Sequence, residues 1–254
     1  MAIHRAAQLG YQLAAEDYER VRPSYPTAAL GALTDALDLG PGRKVAEVGA
    51  GTGKFTRLLA LTGAQVLAVE PVAAMRERLA GLLPQVRVVD GMAESTGLPE
   101  GSVDAVVAAQ AWHWFDPAAA LCETERITHS GGRLGLVFNS LDETVPWVAE
   151  YSQVYRQWRT ESVPGHRDGT WRLFFDNLPG WTPLQEQHIA NPYPTDREGV
   201  LGQALTSSVI STLDPDQRAK VRRQLEEVLD RHEESCGERI EIPYVTDVYW
   251  TSRA

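Results

Sequence analysis

Between residues 44 and 138, short β-branched apolar runs alternate with longer stretches of helical period. That is the pattern of successive strand–helix–strand units around a parallel sheet. Strands are predicted over 44–49, 65–70, 86–90, 103–108 and 132–139, with helices between them over 52–61, 72–83 and 116–128. The last of these helices opens on Asp116-Pro117, an acid that can cap and a proline that fits the first turn. An earlier helix over 27–37 is stopped by Gly40-Pro41-Gly42. After Asn139 the rhythm breaks. Residues 141–182 bring Trp147, Trp158, Trp171 and Trp181 together with Phe174 and Phe175, which reads as an insertion between strands. A strand over 184–190 follows, then an amphipathic helix over 216–234 with Val221, Leu225, Val228 and Leu229 on one face. A closing strand is predicted over 240–250. The expected organisation is a lead-in and ligand-binding core over 1–140, a substrate cap over 141–182, and completion of the core over 183–254.

The most informative segment is Val45-Ala46-Glu47-Val48-Gly49-Ala50-Gly51-Thr52-Gly53, which passes from the first strand into a helix. Glycines there let the backbone turn sharply and let a ligand lie directly against it. A dinucleotide fingerprint would place its third glycine at Lys54; the spacing here is GxGxG, which disfavours a nicotinamide-dependent oxidoreductase. A second acid, Glu70, ends the next strand about 20 residues on, where a carboxylate can accept hydrogen bonds from both hydroxyls of a ribose. A glycine turn by itself is also compatible with a tight turn and no ligand. The leading acid, the second acid and the flanking rhythm agree on a ligand.

Composition narrows the class of ligand. Acidic residues outnumber basic ones by 34 to 24, giving a net charge of −10 that repels nucleic acid and anionic membrane surfaces. The two cysteines, Cys122 and Cys236, stand far apart with no CxxC and no Cys/His cluster, so neither a disulfide framework nor a zinc site is expected, and a reducing compartment fits. No window approaches the roughly 20 apolar residues of a membrane span, and a cytoplasmic location is the expectation. Oligomeric state is not legible.

Several further stretches carry a family resemblance. Residues Glu47 to Thr56, then Ala68-Val69-Glu70-Pro71, Asp90-Gly91-Met92-Ala93-Glu94 and Leu98-Pro99 through Asp104, resemble the successive motifs of class I S-adenosylmethionine-dependent methyltransferases. Ala109-Gln110-Ala111-Trp112-His113-Trp114-Phe115, the lead-in Tyr18 to Pro26 and the terminal Ile242-Pro243-Tyr244-Val245-Thr246 resemble, more narrowly, the small-molecule branch related to trans-aconitate methyltransferase. The resemblance implies an α/β, Rossmann-like, doubly wound sheet of seven mostly parallel strands, the last antiparallel, with an aromatic-rich helical cap. It also implies that Gly49, Gly51 and Gly53 line the methionine part of S-adenosylmethionine, that Glu47 holds its ammonium and Glu70 its ribose, and that Ala93 meets the adenine edge through its amide. Many relatives carry Asp where this chain has Met92, whose side chain can instead pack on the adenine face. Pro71, Met75 and Glu94 are expected in the same pocket, Tyr18 and Arg22 at the cofactor's carboxylate, and Gln110 at cofactor or substrate.

Methyl transfer from a sulfonium is an in-line displacement in which alignment supplies much of the rate. A base is needed only if the acceptor carries a proton at neutral pH. His113 follows the fourth strand, where open α/β sheets place ligands, and stands as the candidate catalytic base or as an aromatic packed between two tryptophans. Arg156, Arg159, Arg167 and Arg172 in the insertion fit either a lid that grips a carboxylate with an apolar or aromatic body, or an ordinary solvated surface. The expected function is methylation of an oxygen on a small organic acid or hydroxylated metabolite. Alternatives are a carbon or nitrogen acceptor, or a non-methylating S-adenosylmethionine-binding protein of the same fold.

Overall fold

The computed structural model describes residues 22–158, 166–207, 210–232 and 237–254. Its centre is a seven-stranded sheet of β1 (Lys44–Val48), β2 (Gln65–Val69), β3 (Arg87–Val89), β4 (Val103–Ala109), β5 (Thr128–Leu141), β6 (Gln185–Ala190) and β9 (Tyr244–Ser252), in the order β3-β2-β1-β4-β5-β9-β6. The pairs β1–β2, β2–β3, β1–β4 and β4–β5 are parallel, and the last strand, β9, is antiparallel. Four of the five residues of β1 and of β2 are buried, as expected for strands covered on both faces, which is why they read as apolar runs rather than alternations. The chain winds from β1 out to β3 and returns on the other side of β1 as β4. This reversal makes the loops after β1 and β4 diverge and opens a crevice at their carboxyl ends.

The connecting helices are α1 (Thr27–Leu37), α2 (Thr56–Leu61), α3 (Ala73–Leu82) and α4 (Pro117–Ile127). Asp116 caps α4 by accepting from the amides of Ala118 and Ala119, with Pro117 in the first turn, as its sequence predicts. α2 starts later than the predicted residue 52 because Gly53 sits at φ 88°, a left-handed conformation that no helix can absorb. The predicted closing strand is two strands. Pro243, which has no N–H to give a ladder, separates β8 (Ile240–Ile242) from β9, and β8 pairs antiparallel with β7 (Tyr193–Thr195) in a sheet of their own.

The chain gathers into two compact units. The first comprises the described residues of 24–138, 164–189 and 246–254. It has one core on each side of its sheet: Leu33, Leu37, Phe55, Leu59 and Leu79 pack on one face, and Trp112, Leu121, Ile127, Leu136 and Phe138 on the other. Trp171, Phe175 and Trp181 belong to that second core. The other unit comprises the described residues of 1–23, 139–163 and 190–245. It holds α5 (Pro146–Gln157), α6 (Arg197–Leu205), α7 (Pro215–Arg231) and the β7–β8 pair around Trp147, Val148, Leu201, Val221, Leu225 and Ile240. The α7 stripe is the one its sequence predicts, and its start is fixed by a reciprocal capping box between Asp214 and Gln217.

Candidate functional site

The loop after β1 is pinned to β2 by backbone: the amides of Gly49 and Ala50 both donate to the carbonyl of Val69, at 2.9 and 3.1 Å. Gly49, Gly51 and Gly53 all have positive φ, 69°, 58° and 88°. At Gly51 that geometry turns the amide onto Glu70, whose Oε2 accepts from it at 2.9 Å, while Glu70 Oε1 accepts from the amide of Val72 at 2.9 Å. Each oxygen of Glu70, 4% exposed, is thus fixed by one backbone donor and keeps further lone pairs for a ligand. Burial raises its pKa, against the two amides and the nearby Arg76 charge.

Glu47, the penultimate residue of β1, is 1% exposed, and its Oε2 accepts from the buried hydroxyl of Thr56 at 2.5 Å. Burial pushes its pKa up to about 8; the Thr56 hydrogen bond opposes this and the negative charge of Glu70 adds to it. A carboxyl in that state is poised to ionise when a cation arrives beside it. Met75 is buried, its Sδ the nearest atom to a Cβ built on Gly51, at 3.9 Å.

Arg76 is a part of the site that the sequence did not reveal. Its Nη1 donates to the carbonyls of Glu70 at 2.9 Å and Pro71 at 2.6 Å, and its Nη2 pairs with Asp90 at 2.9 Å. One guanidinium therefore ties the end of β2 to the end of β3. Beyond it, Met92 and Ser95 close a tight turn through reciprocal backbone bonds of 3.1 and 3.0 Å, with Ala93 buried inside it. Glu94 accepts from the amide of Asp116 at 2.9 Å and so braces the start of α4.

At the end of β4, Gln110 has φ 55°, unusual for a residue with a side chain, and its amide donates to the Val137 carbonyl at 2.8 Å. Strain of this kind persists where the surroundings over-determine it, commonly at ligand sites. A single 3₁₀ turn, Trp112–Trp114, follows. Trp112 packs against Phe115 and Phe175 in the core. His113 lies with its ring 5.1 Å from Trp114, 6.0 Å from Phe138 and 5.8 Å from His166. His166 stacks on Phe138 at 5.0 Å and 8°, and its carbonyl accepts from the Trp171 indole at 2.7 Å. Both histidines thus share one aromatic wall.

Other expected residues have described partners of their own or lie outside the described residues. Arg22 donates through Nη2 to the carbonyl of Gln203 at 3.1 Å in the helical unit. Arg156 pairs with both oxygens of Glu143, and Arg172 pairs with Glu186 at 2.8 Å while lying 5.0 Å from the centre of the Tyr249 ring. Tyr18, Arg159 and Cys236 lie outside the described residues.

Residues 46–136 match the model of a family described as a methyltransferase domain. An uncharacterized methyltransferase-like protein of Schizosaccharomyces pombe is 33% identical over 225 residues, 84% of this chain and 82% of its own length. The chain belongs to the class I, S-adenosylmethionine-dependent methyltransferases. An uncharacterized methyltransferase of Mycobacterium tuberculosis is 45% identical over 150 residues, which is 59% of this chain and spans 60% of that relative. Among solved structures, a protein of Anabaena variabilis provisionally described as a methyltransferase from an antibiotic biosynthesis pathway superposes with TM-score 0.63 at 25% identity, covering 90% of this chain and 98% of its own. One of Anaeromyxobacter dehalogenans, provisionally described as a type II methyltransferase, gives 0.61 at 25% identity over 91% and 97%. No helix among the described residues is long and apolar enough to cross a membrane.

Proposed function

We propose that this methyltransferase acts on an oxygen of a small metabolite with an aromatic body, in the branch related to trans-aconitate methyltransferase. The observation that carries the cofactor side is Glu70, buried and aimed by two backbone amides beneath the glycine loop. The residues fit S-adenosylmethionine. A Cβ on Gly51 would meet nothing nearer than 3.9 Å, so the backbone is open to a ligand there, whereas one on Gly49 or Gly53 would meet Ala111 at 2.7 Å or Leu79 at 3.0 Å; Glu47 offers a buried carboxyl suited to a cation. When bound, the cofactor supplies a methyl group already activated on a sulfonium. Glu70 is assigned the ribose hydroxyls, Glu47 the ammonium, Met75, Met92 and Ala93 the adenosyl surroundings, and Gly51 the close backbone approach, while Gly49 and Gly53 shape the loop by packing tightly on Ala111 and Leu79. Replacing Glu70 by Ala removes the acceptor for two hydroxyls in a buried site, a loss of about 1–3 kcal/mol. Calorimetry should find S-adenosylhomocysteine bound roughly tenfold or more weakly. Wild-type affinity in that variant would take the ribose away from Glu70.

On the acceptor side, the rings of His113, Trp114, Phe138 and His166 favour a flat aromatic acceptor. Arg156 and Arg172 are already engaged by Glu143 and Glu186, which removes two of the guanidiniums that suited an anionic acceptor. A hydroxyl acceptor is therefore favoured, with His113 taking its proton as the oxygen attacks. In a screen of aromatic hydroxyl metabolites with S-adenosylmethionine, His113→Gln should lower turnover by about a hundredfold while leaving cofactor affinity unchanged. The wild-type rate should fall on the acid side of the histidine's titration, and that limb should vanish in the variant. A loss of only a few fold, with the same pH profile, would make His113 a wall residue and the acceptor a group that needs no base.

A further inference from the structure

The mechanism gives no work to Arg76, yet its guanidinium sits against the strand end that carries the ribose acid. Its Nη1 donates to two consecutive main-chain oxygens, Glu70 O at 2.9 Å and Pro71 O at 2.6 Å, and its Nη2 pairs with Asp90 Oδ2 at 2.9 Å. Asp90 directly follows β3, so one planar fork of donors spans the ends of two strands, a task unsuited to the point charge of a lysine.

This bracing reaches the carboxylate of Glu70 through the backbone. The Pro71 carbonyl and the Val72 N–H belong to one peptide unit, planar and trans, so they point in opposite directions. Arg76 holds the carbonyl end, and the N–H end donates to Glu70 Oε1 at 2.9 Å. A hydrogen bond accepted by the carbonyl also polarises the N–H of the same peptide. The direction and strength of the bond that aims Oε1 are therefore set from α3. Burial raises the Glu70 pKa, and the Val72 and Gly51 amides and the Arg76 charge oppose it, in favour of a carboxylate that only accepts.

We propose that Arg76 is a positioning residue for the ribose: through the Pro71–Val72 peptide it aims the Glu70 carboxylate at the two hydroxyls. The proposal rests on the assignment of Glu70 to the ribose, and its test separates the two.

The test is calorimetric titration of the full chain with S-adenosylhomocysteine and with its 2′,3′-dideoxy analogue, in wild type, Glu70→Ala and Arg76→Met. Wild type should prefer S-adenosylhomocysteine roughly tenfold or more, and Glu70→Ala should lose that preference. Methionine keeps the apolar stem and suits a helix, so Arg76→Met should fold, with thermal unfolding as the check. Its preference should shrink to about threefold or less, while the dideoxy analogue binds as it does to wild type. A merely structural role would weaken both ligands alike. Full preference in Arg76→Met, or an equal loss for both ligands, would overturn the proposal while Glu70 keeps the ribose. A wild type without preference, or an undiminished preference in Glu70→Ala, would overturn the ribose assignment and this proposal with it.

Discussion

Replacing Gly51 by valine is expected to give a folded protein that no longer binds S-adenosylhomocysteine. The glycine sits at φ 58°, where a β-branched residue costs on the order of 1–3 kcal/mol. That is a modest share of the 5–15 kcal/mol that typically holds a domain together. A Cβ at this position meets only Met75 Sδ, at 3.9 Å, so the folded protein has room for the side chain. The room it fills is the space assigned to the ligand. Escape from the left-handed conformation would in addition turn the Gly51 amide away from Glu70. Thermal unfolding should show a single cooperative transition a few degrees lower, and calorimetry should show affinity reduced at least a hundredfold. Near-normal binding in a folded Gly51→Val protein would place the ligand somewhere else.

Glu47→Gln should separate stability from binding. In the folded protein the Glu47 carboxyl holds its proton up to about pH 8, whereas in the unfolded chain it releases it near 4.5. Between those values the folded state binds more protons than the unfolded one, so Glu47 makes stability fall as pH rises through that window. At neutral pH the penalty is roughly 3 kcal/mol. Glutamine carries no such charge and can still accept from Thr56. The variant should therefore be more stable than wild type above pH 6, by an amount that grows toward pH 8, with the two converging near pH 4.5. Binding should move the other way. A cationic ammonium beside Glu47 favours its ionised form, so wild-type binding should release a proton near neutrality and tighten as pH rises toward 8. Titrations in two buffers of different ionisation enthalpy measure that proton. Glu47→Gln should bind at least about tenfold more weakly and release none. Equal proton release by both proteins would assign the event to another group.

The parts of this site legible in the sequence are those fixed by local chain geometry. The acid-led glycine loop and Glu70 stand at successive strand ends, and parallel strands in one sheet bring such ends to one edge, so spacing alone predicted their meeting. Arg76 escaped notice because its partners at Glu70 and Pro71 are main-chain carbonyls, which no residue pattern encodes. His166 was hidden for another reason. Residues 166–175 belong with the sheet unit and bring His166 and Trp171 onto Phe138, a non-local return that periodicity does not report. The insertion's arginines were ambiguous in the sequence, fitting a carboxylate grip or a solvated surface equally, because their partners Glu143 and Glu186 are ordinary surface acids that no pattern pairs with them. The boundary errors share a cause in single residues that overrule a longer pattern, Gly53 at the start of α2 and Pro243 between β8 and β9.

The central claim, that the crevice beyond β1 and β2 is an S-adenosylmethionine site, is tested most directly by calorimetric titration of S-adenosylhomocysteine into the full chain, with NAD titrated in parallel. One S-adenosylhomocysteine per chain should bind with micromolar or tighter affinity, and NAD should give no saturable heat. Absence of S-adenosylhomocysteine binding by the folded protein, or tighter binding of NAD, would contradict the account.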